Sequence, residues 1–139
     1  MLNRILAIDY GDKKVGLALS DPMKIIAKPY KTIINNSKES LLSDIIQIIQ
    51  LKDVNEIVVG LPKTLKNTYS EQTYKVKDFI DYITSILDIN VVIVDERLSS
   101  IEAKRSLINQ GIKTGHNKKD VDMTAAALFL QNYLDKIEK

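Results

Sequence analysis

The sequence predicts an α/β fold: a mixed five-stranded sheet, with three antiparallel strands followed by two parallel strands, flanked by helices. Two observations predict it. Between residues 4 and 34, three strand-like segments are joined by short turns, whereas a parallel crossover would need about a dozen residues or more. After residue 35, helical apolar stripes alternate with short apolar runs, which is typical of helices that return the chain to a parallel strand.

The first three strands follow from apolar patterning and turn residues. Residues Arg4–Asp9 are almost continuously apolar, as in a central strand that is buried on both faces. A turn at Gly11–Lys13 leads into Lys14–Ser20, where bulky and small residues alternate. One face of this strand is therefore small enough for another element to pack closely against it. An Asp-Pro pair ends that strand, and the third is expected at Ile25–Ile34.

The last two strands are separated by helices. Ser37 is a suitable N-cap for a first helix, whose apolar residues recur with helical spacing. Short apolar runs at Glu56–Gly60 and Asn90–Asp95 are the expected fourth and fifth strands. Because a helix-length segment precedes each of these strands, both are expected to be parallel to the first.

Capping residues predict where the remaining helices begin. Thr68 and Glu71 have the spacing of a capping box, and Ser70 is a rival N-cap for the same helix. The same spacing recurs at the start of a helix expected at Ser99–Gln110, and the last helix is expected at about Val121–Ile137.

Length and composition indicate a single domain, residues 1–139, and exclude several classes of protein. The chain has no cysteine and one histidine, so disulfides and thiolate zinc sites are excluded and most zinc catalysis is disfavoured. No signal pattern opens the sequence, and no apolar run approaches the about 20 residues of a membrane span. We therefore expect a cytoplasmic protein that does not act at a membrane.

Two acidic residues come where strands end. Asp9 ends the first strand and Glu96 directly follows the fifth. The carboxyl ends of parallel strands meet at one edge of the sheet, which is where ligands bind in open sheets of this kind. Carboxylates at the ends of buried strands are costly unless a cation compensates them. These two residues are therefore candidates for a shared site.

Helical phase adds a third carboxylate from the last helix. Asp122 shares a stripe with the apolar residues Ala126 and Phe129, whereas Asp120 aligns with Gln131 on the polar face. Asp120 also suits the N-cap position. We therefore expect Asp122, rather than its neighbour, to face the sheet edge.

Three converging carboxylates predict a particular metal chemistry. Mg²⁺ and Mn²⁺ prefer oxygen ligands, so Asp9, Glu96 and Asp122 are the candidate metal ligands and catalytic residues. A pair of such ions activates water and stabilises the leaving oxygen when a phosphodiester is hydrolysed. Cations near the same edge suit the phosphates of a nucleic acid. The candidates for this role are Lys13, Lys14, Lys63, Lys66, Arg97, Lys118 and Lys119.

Four segments, in order, resemble the YqgF (RuvX) family over nearly the whole chain. They are Ala7–Pro22, Val58–Pro62, Val94–Ser100 and Val121–Ala127. The resemblance implies an RNase H-like fold and a nuclease of precursor 16S rRNA or of Holliday junctions, with Asp9, Glu96 and Asp122 as its acidic site. The chain departs from the family pattern at residues 66–68, where Lys-Asn-Thr replaces the usual Asp-Gly-Thr.

Three functions remain as alternatives. The first is processing of the 5′ end of precursor 16S rRNA in ribosome biogenesis. The second is cleavage of branched DNA, which would call for a homodimer with paired active sites, so both monomer and homodimer are considered. The third is a nucleic-acid-binding module that has the fold without catalysis.

Overall fold

The computed structural model describes residues 3–62, 69–96 and 118–137, and in the last of these ranges it describes side chains from residue 125 onward. The strands are β1 (Arg4–Asp9), β2 (Lys14–Ser20), β3 (Ala27–Ile34), β4 (Val54–Leu61) and β5 (Asn90–Asp95). The helices are α1 (Lys38–Lys52), α2 (Glu71–Ile86) and α3 (Lys118–Ile137). The predicted helix Ser99–Gln110 lies outside the described residues.

The five strands form one sheet in the order β3-β2-β1-β4-β5. The pairs β1–β2 and β2–β3 are antiparallel, and the pairs β1–β4 and β4–β5 are parallel. The predicted fold class is therefore confirmed, with β1 at the centre of the sheet. No helix in the described ranges is long and apolar enough to cross a membrane.

Alternation along the strands divides the buried residues into two cores, one on each face of the sheet. In β1, Leu6 and Ile8 belong to the core under α1 and α2, and Ile5 and Ala7 belong to the core under α3. This explains the continuous apolar run of β1, since both of its faces are buried. The small face of β2 is the one covered by α3, as its alternation of bulky and small residues predicts.

The third strand begins two residues later than predicted because Asp21 organises the preceding loop. The carboxylate of Asp21 accepts the backbone N–H groups of Met23, Ile25 and Ile26 at 2.7–3.1 Å. Desolvation raises the pKa of Asp21, but these donors outweigh it and leave the pKa below its ordinary value. Residues 25 and 26 are therefore held in a loop, and β3 starts at Ala27.

The N-caps in the structure show where α1 and α2 begin. Ser37 caps α1 as expected, accepting the N–H of Ser40 at 3.0 Å. For α2 the N-cap is Ser70, and its capping-box partner is Thr73, whose hydroxyl oxygen accepts the Ser70 N–H at 3.0 Å. Glu71, the predicted partner, is only the first residue of the helix. Ser70 is thus the observed N-cap, and the other candidate, Thr68, lies outside the described residues.

Two predictions about α3 are wrong. The helix begins at Lys118, so Asp120 lies within its first turn and is not the N-cap. Gln131, assigned to the polar face, is buried, with 2% of its surface exposed. Its Oε1 accepts the N–H of Ala27 at 2.9 Å and its Nε2 donates to the carbonyl of Ile25 at 3.0 Å. The backbone leading into β3 needs these partners, and helical phase alone does not reveal that need.

Candidate active site

Asp9 ends β1 at the carboxyl edge of the sheet. It pairs with Gly16 of β2, and alternation places it on the same face as Ile5 and Ala7, which is the face covered by α3. The side chain of Asp9 is half-buried. A carboxylate is therefore held at the end of a central buried strand, as the sequence predicts.

The turn that follows Asp9 is tightly built. A Cβ atom at Gly11 would lie 2.5 Å from the carbonyl oxygen of Lys14, so only glycine allows the chain to return so closely into β2. Nδ2 of Asn35 donates to the carbonyl of Gly11 at 2.9 Å. These contacts fix the chain immediately after Asp9.

The same turn is anchored to α2 by side chains. The ring of Tyr10 stacks on that of Phe79, with centroids 4.5 Å apart. Nζ of Lys75 lies 3.2 Å from the carboxylate of Asp12 in an exposed ion pair. These anchors were not predicted, because no local pattern links residues more than 60 positions apart.

Glu96 reaches the same edge from β5. Asp95 pairs with Leu61 of β4, and Glu96 is the next residue along the chain. Val92 and Val94 pack into the core under α3, so alternation places Glu96 on the same face as Asp9. Because β4 lies between the two strands, their backbones are roughly 10 Å apart. The two side chains must therefore meet across β4.

Gly60 lets α3 pack closely on the end of β4, beside these two residues. Ile8 pairs with Val59, and Gly60 pairs with Val94, so Gly60 lies at the level where β1 and β5 end. A Cβ atom at this position would be 2.6 Å from the ring of Phe129 in α3. With no side chain here, Phe129 packs directly on the strand. A glycine within a strand often marks such a close approach, which is the signal that sequence reasoning could have used.

The carboxyl groups of Asp9 and Glu96 are brought together. Burial raises the pKa of Glu96, the hydrogen bond with Asp9 lowers it, and the negative charge of Asp95 raises it again. The net effect is a pKa above the ordinary value for glutamate. Two carboxyl groups in contact must share a proton or bind a cation. The structure therefore unites two of the three predicted ligands.

The donor set fits an oxygen-preferring divalent cation. Asp9 and Glu96 offer carboxylate oxygens at one edge, which is the ligand type that Mg²⁺ and Mn²⁺ prefer. Within the described side chains, no three acidic, histidine or cysteine residues group closely enough to hold a metal ion. A full ligand set thus needs a further side chain, and that of Asp122 lies outside those described.

The course of α3 carries its N-terminal turns toward this edge. Phe129 packs on Gly60 near the carboxyl end of β4, and the hydroxyl of Tyr133 donates to Glu56 near its amino end at 3.0 Å. The helix therefore runs antiparallel to β4. Asp122 lies seven residues before Phe129, roughly 10 Å further along the helix axis. Its backbone thus lies toward the acidic edge, and its role as the third ligand stays a prediction.

The structure describes the side chains of only two of the predicted phosphate-binding cations. Lys13 lies in the turn that follows Asp9 and Lys14 is the first residue of β2, and both are exposed at the acidic edge. Lys118 and Lys119 open α3, and only their backbone is described. Lys63, Lys66 and Arg97 lie outside the described residues.

Comparison with known proteins identifies relatives over almost the whole chain. A family model described as "RuvX: Holliday junction resolvase" matches residues 3–136. A protein of Clostridioides difficile named "Putative pre-16S rRNA nuclease" is 41% identical over 132 residues, which is 95% of this chain and 94% of that protein. A protein of the same name from Halothermothrix orenii is 38% identical over 132 residues, with the same two shares.

Solved structures share the fold at low sequence identity. RuvC of T. thermophilus in complex with a Holliday junction substrate aligns with a TM-score of 0.62 and 11% identity, over 98% of this chain and 96% of that one. The fowlpox virus resolvase in complex with Holliday junction DNA aligns with a TM-score of 0.56 and 14% identity, over 98% and 99%. These likenesses confirm the RNase H-like fold.

Proposed function

The chain belongs to the RuvX family, and from that premise we propose that it is a divalent-metal-dependent endonuclease that hydrolyses phosphodiesters in structured nucleic acid. The contact between the carboxyl groups of Asp9 and Glu96 carries this proposal. Such a buried acidic pair is costly for stability alone, and its cost is explained if a cation binds there.

Three residues would hold the metal: Asp9, Glu96 and Asp122. The chemistry that Mg²⁺ or Mn²⁺ supplies when bound is charge compensation at the phosphate and activation of water for hydrolysis. The chain's own part is to hold the carboxylates in place. Gly60 admits the ring of Phe129, so that α3 packs closely on the end of β4, and the tight turn at Gly11 fixes the backbone beside Asp9.

The substrate needs cations around this acidic edge, because a nucleic acid brings one negative charge per nucleotide. Lys13 and Lys14 are exposed beside Asp9, and the proposal extends this role to Lys63, Lys66, Arg97, Lys118 and Lys119. The names of relatives that are 38–41% identical favour precursor 16S rRNA as the substrate. The proposal adds that the chain trims the 5′ end of this RNA in the cytoplasm during ribosome biogenesis.

A Holliday junction resolvase is the second candidate. It is favoured by the description of the family model and by the fold shared with two resolvases bound to junction DNA. Symmetric cleavage of a four-way junction requires two active sites related by a two-fold axis. This candidate therefore requires a homodimer, whereas cleavage of a single RNA strand is compatible with a monomer.

The test is a cleavage assay with Asp9→Asn, run with Mn²⁺ on precursor 16S rRNA and on a four-way junction. Removing one ligand charge should cost several kcal/mol of transition-state stabilisation, so cleavage should fall by at least about a hundredfold. Binding of the nucleic acid should remain. The substrate that the wild-type protein cuts faster, together with its mass in solution, distinguishes the two candidates.

Asp12→Asn is the matched control, because it makes the same chemical change three residues away. Asp12 is exposed and forms a surface ion pair with Lys75, an interaction worth little in water. This variant should cut within about twofold of wild type, since such pairs contribute about 1 kcal/mol or less. Equal cleavage by Asp9→Asn and wild type would overturn the assignment, and salt-sensitive binding without any cleavage would indicate a binding module.

A further inference from the structure

A cavity of about 310 Å³ lies at the amino ends of β1 and β3, at the sheet edge opposite the acidic residues. Its lining includes Arg4, Asp21, Lys28 and Tyr30. Small-molecule sites typically measure about 300–1,000 Å³, so this cavity is large enough for one molecule of nucleotide size. Arg4 and Asp9 mark the two ends of β1, which are roughly 17 Å apart.

Positive charge is concentrated around this cavity. Arg4 and Lys28 line it, and Nζ of Lys31 and Nζ of Lys52 lie 5.5 and 5.6 Å from the ring centroid of Tyr30. The ion pair found in the described part of the chain lies at the opposite edge of the sheet. None of these four cations pairs with a carboxylate among the described residues. Their charge is available to an anionic ligand.

The acidic residue in the wall, Asp21, keeps its negative charge, but within the described residues it forms no ion pair with these cations. The carboxylate of Asp21 accepts three backbone N–H groups of its own loop. The neighbouring hydroxyl of Ser20 accepts the N–H of Ile5 and donates to the carbonyl of Asp21, both at 2.9 Å. These polar atoms of the wall therefore form hydrogen bonds within the fold, and the cations are the groups that can bind a ligand.

Arg4 is held at the cavity by a backbone contact. Its Nη1 donates to the carbonyl of Lys52 at the end of α1, at 3.3 Å. A guanidinium group carries five N–H donors in a planar fork that matches a phosphate group. Anchoring by one donor thus leaves others to bind an anion, and the exposed ammonium group of Lys28 stands on the neighbouring wall.

We propose that this cavity is a binding site for a phosphate-bearing ligand of mononucleotide size, with Arg4 and Lys28 binding the phosphate. The site is separate from the acidic edge and does not depend on the proposed nuclease activity. Its ligand is recognised by the charge of the phosphate, and the cavity has room for a base or a sugar beside the phosphate.

The test is a titration of the ¹⁵N-labelled full chain with AMP, followed by amide chemical shifts. AMP should shift the amides of Arg4, Lys28 and Tyr30, and it should bind more tightly than inorganic phosphate, because the cavity is larger than a phosphate group. Lys28→Glu should raise the Kd for AMP by about tenfold or more, since a charge-assisted hydrogen bond contributes about 1.5–3 kcal/mol.

Lys136→Glu is the matched control, because it changes the net charge equally at an exposed position in the last turn of α3. It should leave the Kd unchanged, and Asp9→Asn should leave it unchanged as well. A single-stranded octanucleotide is the further probe. The proposal is overturned if only the octanucleotide binds, if AMP shifts amides at Lys13 and Lys14 instead, or if both charge reversals weaken binding equally.

Discussion

At the scale of single residues, the acidic site depends on a residue that has no side chain. Asp9 and Glu96 lie on either side of β4, and Gly60 is the position between them on the face toward α3. The ring of Phe129 occupies the space that a side chain at Gly60 would need. One glycine therefore permits the close packing of α3 on the end of β4, beside the acidic residues.

Gly60→Ala tests this role. The added Cβ would lie 2.6 Å from the Phe129 ring, which is 1% exposed and has little freedom to move. We expect a loss of about 1–3 kcal/mol in the free energy of unfolding, as for other overpacked cores, measured by urea denaturation. Cleavage should also fall, because α3 is displaced at the acidic edge.

The double variant Gly60→Ala with Phe129→Leu is the control for that substitution. A smaller side chain at position 129 relieves the clash, so the double variant should be more stable than the sum of the two single effects predicts. Strict additivity would show that the ring and the strand do not compete for this space.

At the scale of elements, α3 is attached to the sheet at separate points along its length. Gln131 binds the backbone leading into β3 through Ala27 and Ile25, and Tyr133 donates to Glu56 in β4. Desolvation, together with that hydrogen bond and the nearby charge of Glu56, raises the pKa of Tyr133 to about 12. The hydroxyl therefore stays protonated and remains a donor through the physiological range.

Gln131→Leu tests the first attachment. The substitution keeps much of the volume, but it leaves the N–H of Ala27 buried without its acceptor and removes the donor to the carbonyl of Ile25. We expect the free energy of unfolding to fall by about 1–3 kcal/mol, the cost of an unsatisfied buried group. Asp135→Asn is the control: the Asp135 carboxylate accepts from the same Nε2 at 3.0 Å, and an asparagine oxygen can still accept there. Both backbone contacts stay in place, so stability should change by less than about 0.5 kcal/mol. Equal effects of the two substitutions would contradict this account.

The elements also show what local patterns can and cannot predict. A continuous apolar run predicts β1 to the residue, and alternation of bulky and small residues predicts β2, because both patterns belong to the strand itself. The start of β3 and the environment of Gln131 were missed for one shared reason. Both depend on hydrogen bonds to a loop organised by Asp21, and such partners are set by tertiary structure.

At the scale of the whole molecule, the sheet separates two surfaces of opposite charge character. The carboxyl edge brings Asp9 and Glu96 together, and strand polarity is enough to predict that meeting from the sequence. The amino edge gathers Arg4, Lys28 and Lys52 around one cavity. These residues are distant in sequence and carry no shared motif, so sequence reasoning had no signal for this second surface.

The raised pKa of Glu96 links the acidic edge to the stability of the whole fold. A carboxyl group with a folded pKa above its unfolded value binds its proton more tightly in the folded state. Its stabilising contribution is therefore present at low pH and is lost as pH rises through the folded pKa. A bound divalent cation should reverse this sign, because it favours the charged carboxylate.

The most direct test of a divalent metal site at Asp9 and Glu96 is the pKa of Glu96 itself, measured from the ¹³C shift of its carboxyl carbon with and without Mg²⁺. Without Mg²⁺, the pKa should lie above the ordinary value of glutamate. With Mg²⁺, it should fall below that ordinary value, because a bound cation favours the charged carboxylate. A pKa of Glu96 that is ordinary from the start, or that does not respond to Mg²⁺, would contradict the metal site.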